Sequence, residues 1–256
     1  MSVINTNVKS MFAQAALQTN ERSMTTAMNQ LSTGKRTYSA AVDAAGLSLS
    51  EKLTSQIRGS QMAVRNMNDA ISFLQTAEGA LGEIANMAQR MYELAIQYAD
   101  GTLSSDQQTD IKSEMNELST AITSVKTNTK WNATATADYS ITTTVAADGT
   151  TATFAKTTSI GTVPTSASAA SAIETFIETI ASQRGEAGAQ INRLGYMVDN
   201  LNNVAANLAA SRSRVQDTDY AKASAELART QIINQAATAM LAQANQQPQV
   251  VLSLLQ

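Results

Sequence analysis

The sequence predicts a mainly α protein, a long-helix coiled-coil bundle formed by its N- and C-terminal halves, with a small β-hairpin insert between them. Three observations carry that expectation. Apolar residues recur at alternating three- and four-residue steps towards both ends of the 256-residue chain, which is the spacing of one helix face packed on another. Only two prolines interrupt the whole length and aromatic residues make up 4% of it, so slender helices in close contact suit the composition better than one thick core. Between Trp131 and Ser171 the text changes to Thr, Ser and Ala, and β-branched residues flank an Asp-Gly pair there, the composition of a strand pair.

The elements follow in order. Leu17, Met24 and Leu31 recur every seventh residue until Gly34 breaks the pattern, so a first helix ends there. Two interleaved seven-residue series, Ile57, Val64, Ile71 and Met67, Leu74, Leu81, define a second long helix. Ile111, Met115, Leu118, Ile122 and Val125 define a third. Around Asp148-Gly149 the sequence predicts a hairpin closed by a tight primed turn, because both central residues of such a turn need positive φ. A Ser-, Thr- and Ala-rich loop then leads to an N-cap before Ile173. Leu194, Met197, Leu201, Val204, Leu208, Ser211 and Val215 form one further seam, with Ser211 as its polar member. Asp217 and Asp219 fall at the join of the last two helices, where a carboxylate caps an N-terminus.

Composition removes several functions. The chain has neither Cys nor His, so thiol nucleophiles, disulfides, imidazole bases and the common zinc sets are absent together. No catalytic residue, metal site or cofactor is expected, and an enzyme is the weakest class. A net charge of -3 with interspersed signs lacks the basic cluster that nucleic acid demands. No segment reads as a membrane span, and the N-terminus lacks the pattern of a cleavable secretory signal.

The last 27 residues, from Thr230 to Gln256, contain no Asp, Glu, Lys or Arg. Ile232/Ile233, Ala236/Ala237, Met240/Leu241 and Ala244 step along one helical face, so an Ala-rich helix is expected up to Gln247, stopped by Pro248. The large apolar side chains of this tail do not offset the entropy of ordering its backbone unless partner surface adds burial. Docking on its own domain is the alternative. The pattern favours contact between molecules, because Val3, Ile4, Val8, Met11, Phe12 and Leu17 at the other end are equally short of partners.

Those two ends resemble bacterial flagellin. The stretches "INTNVKSMFAQAAL" and "QLSTGKRTYSAAVDAAGLSLSEKLTSQIRGSQMAVRNMNDAISFLQTAEGAL" are similar to the family's N-terminal signature, and "GAQINRLGYMVDNLNNVAANLAASRSRVQDTDYAKASAELARTQIINQAATAMLAQANQQPQVVLSLL" to its C-terminal one. Thr37, Tyr38 and Val42 stand where the family more often has Ile, Asn and Asp. The central variable region is short, so large outer domains are not expected, and without His a metallopeptidase insert is excluded.

The resemblance implies a structural subunit that polymerises with itself into the flagellar filament, with residues 1–40 and 216–256 as an inner terminal coiled-coil domain. Residues 41–215 would form an outer helical core domain, carrying the short variable region at 131–165. It implies export without a cleavable signal peptide to an extracellular flagellum, and export chaperone, filament cap and hook-junction proteins as partners. Polymerisation contacts are expected from Val3, Ile4, Val8, Phe12, Leu17, Met24, Leu31, Ile232, Ile233, Met240, Leu241, Val250, Leu252, Leu254 and Leu255. Arg90, Leu94 and Glu114 match positions contacted by the Toll-like flagellin receptor; the alternative is a surface ion pair with Leu94 in the core or against a neighbour. A hook–filament junction protein and a non-flagellar helical binding module are the competing functional readings.

Overall fold

The computed structural model describes residues 7–132, 134–135, 140–155, 160–165 and 168–253, with the side chains of 134, 135 and 247–253 not described. Among the described residues, five helices and two short hairpins follow one another: α1 (Val8–Thr33), α2 (Ala44–Tyr98), α3 (Ser105–Asn128), β1 (Lys130–Trp131), β2 (Thr134–Ala135), β3 (Ser140–Thr144), β4 (Thr151–Ala155), α4 (Ala170–Gln216) and α5 (Tyr220–Ser253). The chain divides into two compact units, one holding the sequence up to Ser55 and from Leu208 onward, the other Gln56–Asn207.

In the second unit, α2 turns one continuous seam inward through Ile57, Ala63, Met67, Ala70, Leu74, Ala77, Leu81, Ile84, Ala88 and Met91, all buried. Ile111, Met115 and Ile122 of α3 and Ile173, Phe176 and Ile180 of α4 pack with the Leu81–Ala95 stretch of α2 in one core. A second core joins Ala63–Ala77 of α2 to Ala187, Leu194 and Leu201 of α4. Helix α3 starts in a capping box, where the Ser104 hydroxyl accepts from the Gln107 amide and the Gln107 side chain accepts from the Ser104 amide. These bonds satisfy two amides that a helix start leaves open. Helix α4 begins at Ala170, three residues before the expected Ile173. Its seam also drifts: Val204 is exposed and the half-buried Ala205 takes the inward position.

The hairpin β3–β4 pairs Ile141 with Phe154 and Thr143 with Ala152 in antiparallel register. Its turn is longer than the expected primed pair. Val145 donates to the Thr150 carbonyl, four residues lie between them, and Gly149 has φ +89° while Asp148 has no positive φ. The Asp148 carboxylate instead accepts from the Thr150 hydroxyl and amide, bonds that hold it below the usual carboxylate range. That local capping favours ordinary backbone at Asp148 and leaves the glycine to absorb the left-handed residue.

The hairpin lies on the helices. Phe154 is buried beneath it with the Arg193 guanidinium over its ring, the Thr143 hydroxyl donates to the Asn66 carbonyl, and the Gln190 side chain donates from Nε2 to the Ala155 carbonyl. At Gly59 of α2 the Ala147 carbonyl comes so close that a Cβ would collide with its oxygen. Gly59→Ala is therefore expected to lift the tip of the hairpin. The change adds helix propensity of about 1 kcal/mol, so a lower melting temperature, with faster amide exchange confined to residues 140–155, identifies the collision as the dominant effect. A higher melting temperature would refute the close packing.

Helix α5 continues through Pro248 to Ser253 and is not stopped at Gln247 as expected. A proline removes one amide from the helical ladder and leaves one carbonyl, that of the residue four earlier, without its usual donor. That carbonyl belongs to Ala244, and the Asn7 side-chain amide donates to it at 2.8 Å.

Candidate assembly surface

Within the first unit, α1 and α5 run antiparallel. Asn20 donates from its side chain to the Thr230 carbonyl at 2.7 Å, while Asn7 reaches Ala244. Each helix turns a heptad-spaced face towards its partner. On α1 it is Ser10, Ala13, Leu17, Asn20, Met24, Ala27 and Leu31; on α5 it is Ala223, Leu227, Thr230, Asn234, Ala237, Leu241 and Ala244. Ser10, Asn20, Ala27, Ala223 and Thr230 are buried, and the others only half-buried. Most of these side chains are small or polar, so the helices approach closely but exclude little apolar surface.

The residue kinds left outside are large. Phe12 is 73% exposed, Ile232 67% and Met240 67%, and Val8, Met11, Met28 and Ile233 are exposed beside them. Phe12 and Ile233 line an open groove of about 540 Å³ along the pair, together with Ala16, Thr19 and the surface ion pair Glu226–Arg229. The expected polymerisation residues thus separate into two sets. Leu17, Met24, Leu31 and Leu241 belong to the seam within the chain, whereas Val8, Phe12, Ile232, Ile233 and Met240 point outward. Val3, Ile4, Leu254 and Leu255 lie outside the described residues, and the side chains of Val250 and Leu252 are not described.

The base of the pair is stitched by backbone. Helix α1 ends at Gly34 with φ +66°, where a Cβ would stand 2.7 Å from the Tyr220 hydroxyl oxygen. From there Lys35 and Asp217 form an antiparallel bridge, with the Thr218 amide donating to the Gly34 carbonyl and the Arg36 amide to that of Gln216. The Arg36 guanidinium adds a bond to the Val215 carbonyl at 2.8 Å, one of the carbonyls that the end of α4 leaves open. Asp219 accepts from the amides of Ala221 and Lys222, which is the expected cap on the last helix. Both helix breaks are thus fixed to each other, and α1 and α5 leave from one anchored point.

The other candidate cluster sits on α2 and α3. Arg90 donates to Glu114 at 3.0 and 3.1 Å and to Glu93 at 3.1 Å, all three exposed, and these carboxylates hold the guanidinium pKa above its ordinary value. Leu94 is 2% exposed and belongs to the α2–α3–α4 core. The structure brings Arg90 and Glu114 together on the surface and keeps Leu94 beneath them. Among the described residues no group of three or more acidic side chains is placed to hold a metal, and no helix is long and apolar enough to cross a membrane.

Sequence reasoning missed Asn7, Asn20 and the Gly34–Thr218 stitch. Asn20 was within reach, because it stands three residues after Leu17 and four before Met24, which is a seam position of the same heptad series.

Helices α1 and α5 thus meet in a thin antiparallel coil that leaves Phe12, Ile232 and Met240 exposed on its outer face. Residues 4–138 match the bacterial flagellin N-terminal helical region, and residues 170–255 match the bacterial flagellin C-terminal helical region. A flagellin of Halalkalibacterium halodurans is 38% identical over 270 residues, covering 99% of each chain. The flagellar filament 33 kDa core protein of Treponema phagedenis is 35% identical over 287 residues, again covering 99% of each. A crystal structure of Bacillus cereus flagellin aligns with 29% identity over 58% of this chain and 94% of that one, at a TM-score of 0.46. The chain belongs to the bacterial flagellin family. It is a structural, non-enzymatic subunit that polymerises into the extracellular flagellar filament of motility.

Proposed function

We propose that the α1–α5 pair is the polymerisation element of this subunit, with residues 1–40 and 216–256 as the inner layer of the filament and 41–215 as the outer one. The observation that carries this reading is the outward exposure of Phe12, Ile232 and Met240 on a pair whose own seam is made largely of small and polar residues. Val8, Phe12, Ile232, Ile233 and Met240 contact neighbouring subunits. Leu17, Met24, Leu31 and Leu241 hold the pair together, and Val3, Ile4, Val250, Leu252, Leu254 and Leu255 extend its surface in sequence.

The free subunit keeps these ends unpaired, which suits passage through the flagellar type III apparatus without a cleavable signal. An export chaperone covers the tail before export, and filament cap and hook-junction proteins meet the same surface outside. The exposed Arg90–Glu114 pair offers a charged contact to a Toll-like receptor, with Leu94 supporting α2 from inside.

The test is seeded elongation of Phe12→Asp and Ile232→Asp. Each buried side chain of this size contributes about 1.5–3 kcal/mol, so each substitution is expected to raise the critical concentration roughly tenfold or more with helical content unchanged. Elongation at the parental rate would remove these residues from the interface.

A further inference from the structure

We infer that Asn7 and Pro248 are a matched pair that sets the register of the terminal helices. In an uninterrupted helix the amide of residue 248 would donate to the carbonyl of Ala244. Proline has no amide to give, yet α5 runs through Pro248 to Ser253. The donor comes from the opposite end of the chain: Asn7 Nδ2 stands 2.8 Å from the Ala244 oxygen.

The same side chain also starts α1, for Asn7 Oδ1 accepts from the Ser10 amide at 3.2 Å. One primary amide therefore caps one helix with its oxygen and repairs the gap in another with its nitrogen. Only an Asn or Gln side chain offers both a donor and an acceptor on adjoining atoms in this way. A slip of either helix by one residue would present Asn7 with a carbonyl that already has its ladder donor, and would leave that of Ala244 unsatisfied. The seam offers little other discrimination, because most of its members are small or half-buried. Asn20, buried and bonded to the Thr230 carbonyl, is a second pin further along α1, but Thr230 has no proline four residues on, so its carbonyl keeps its ladder partner. Of these two pins only Asn7 is matched to a gap, and a single polar residue in a heptad seam is known to fix register in this manner.

This inference rests on the reading of the α1–α5 pair as the polymerisation element, and the two fail in different ways. Asn7→Asp separates the two roles of the side chain, since a carboxylate still caps α1 but donates nothing. Filaments of Asn7→Asp, Pro248→Ala, the double variant and the parent are compared by thermal depolymerisation, at a pH where the carboxylate is ionised. Asn7→Asp is expected to lower the midpoint by about 2–4 °C in the parent and by clearly less in the Pro248→Ala background, where the backbone at that position regains the missing amide. Asn7→Ser, uncharged and too short to reach Ala244, is expected to follow the same pattern and serves if Asn7→Asp does not assemble. Equal losses in both backgrounds, or an Asn7→Asp variant as stable as the parent, would overturn the matched pair while leaving the polymerisation role intact. Assembly of chains that lack α5 altogether would instead overturn the underlying reading.

Discussion

Removal of Asn234–Gln256 is expected to abolish filament growth and to leave Gln56–Asn207 folded and soluble. Neither hydrophobic core of that unit contains a residue beyond Leu201, so the deletion takes nothing from either. What it takes is Asn234, Ala237, Leu241 and Ala244 from the seam and the outward Met240 from the surface of the pair. The facing stretch of α1, from Asn7 to Leu17, then has no partner, and an isolated helix of that length is marginal in water. Circular dichroism of the truncated subunit is expected to retain most of the helical signal with a cooperative melt, while electron microscopy finds no filaments on added seeds. Normal filaments would refute the assigned role, and collapse of the whole fold would place the tail in the subunit's own core.

Leu94→Ala carries the second large effect, and it falls on stability. The side chain is among the largest fully or almost fully buried ones and shares its core with Met91, Ile111 and Met115. Truncating a buried leucine typically costs about 2–5 kcal/mol through lost transfer and the cavity left behind. Arg90→Ala breaks exposed bonds to Glu93 and Glu114 and is expected to cost less than about 1 kcal/mol. Chemical denaturation of both variants decides the matter. A near-neutral Leu94→Ala would mean that Leu94 is a surface knob available to a receptor, and the core placement would be wrong.

The helices were readable because their signal is local. Heptad spacing placed the α2 seam from Ile57 to Leu81 and the α3 seam from Ile111 to Val125, and Gly34 marked the end of α1 at the correct residue. The errors arose where a distant partner alters a local rule. Pro248 is a helix breaker by its own chemistry, but a donor from the opposite end of the chain meets the carbonyl it frees. Val204 fits a seam by spacing, yet the helix repeat of 3.6 residues drifts against a strict seven-residue series, and Ala205 turns inward in its place. The Asp148-Gly149 pair marked the hairpin correctly but not its turn type, because Asp148 bonds to Thr150 instead of adopting positive φ. For the assembly surface, the sequence named apolar residues at both ends without dividing them. Which leucines face the partner helix and which residues face away depends on the pairing of α1 with α5, and that is a tertiary fact.

Between the two segments of the first unit, the described side-chain and backbone bonds are nested like brackets. Thr54 meets Arg212, Arg36 meets Val215, Asn20 meets Thr230 and Asn7 meets Ala244, each pair enclosing the one before it. Closing the outermost loop directly would carry the full entropy of a separation of 237 residues, whereas closing the pairs from the inside outward adds only a short new loop each time. Pairing within that unit is thereby expected to run as a zipper from the Thr54–Arg212 contact towards the ends, with the Asn7–Ala244 bond last to form and first to open. A chain that emerges N-terminus first holds α1 without its mate until almost every residue has appeared. The order of residues along the chain would thus act as a clock, delaying the pairing of α1 with α5 until the rest of the structure is in place.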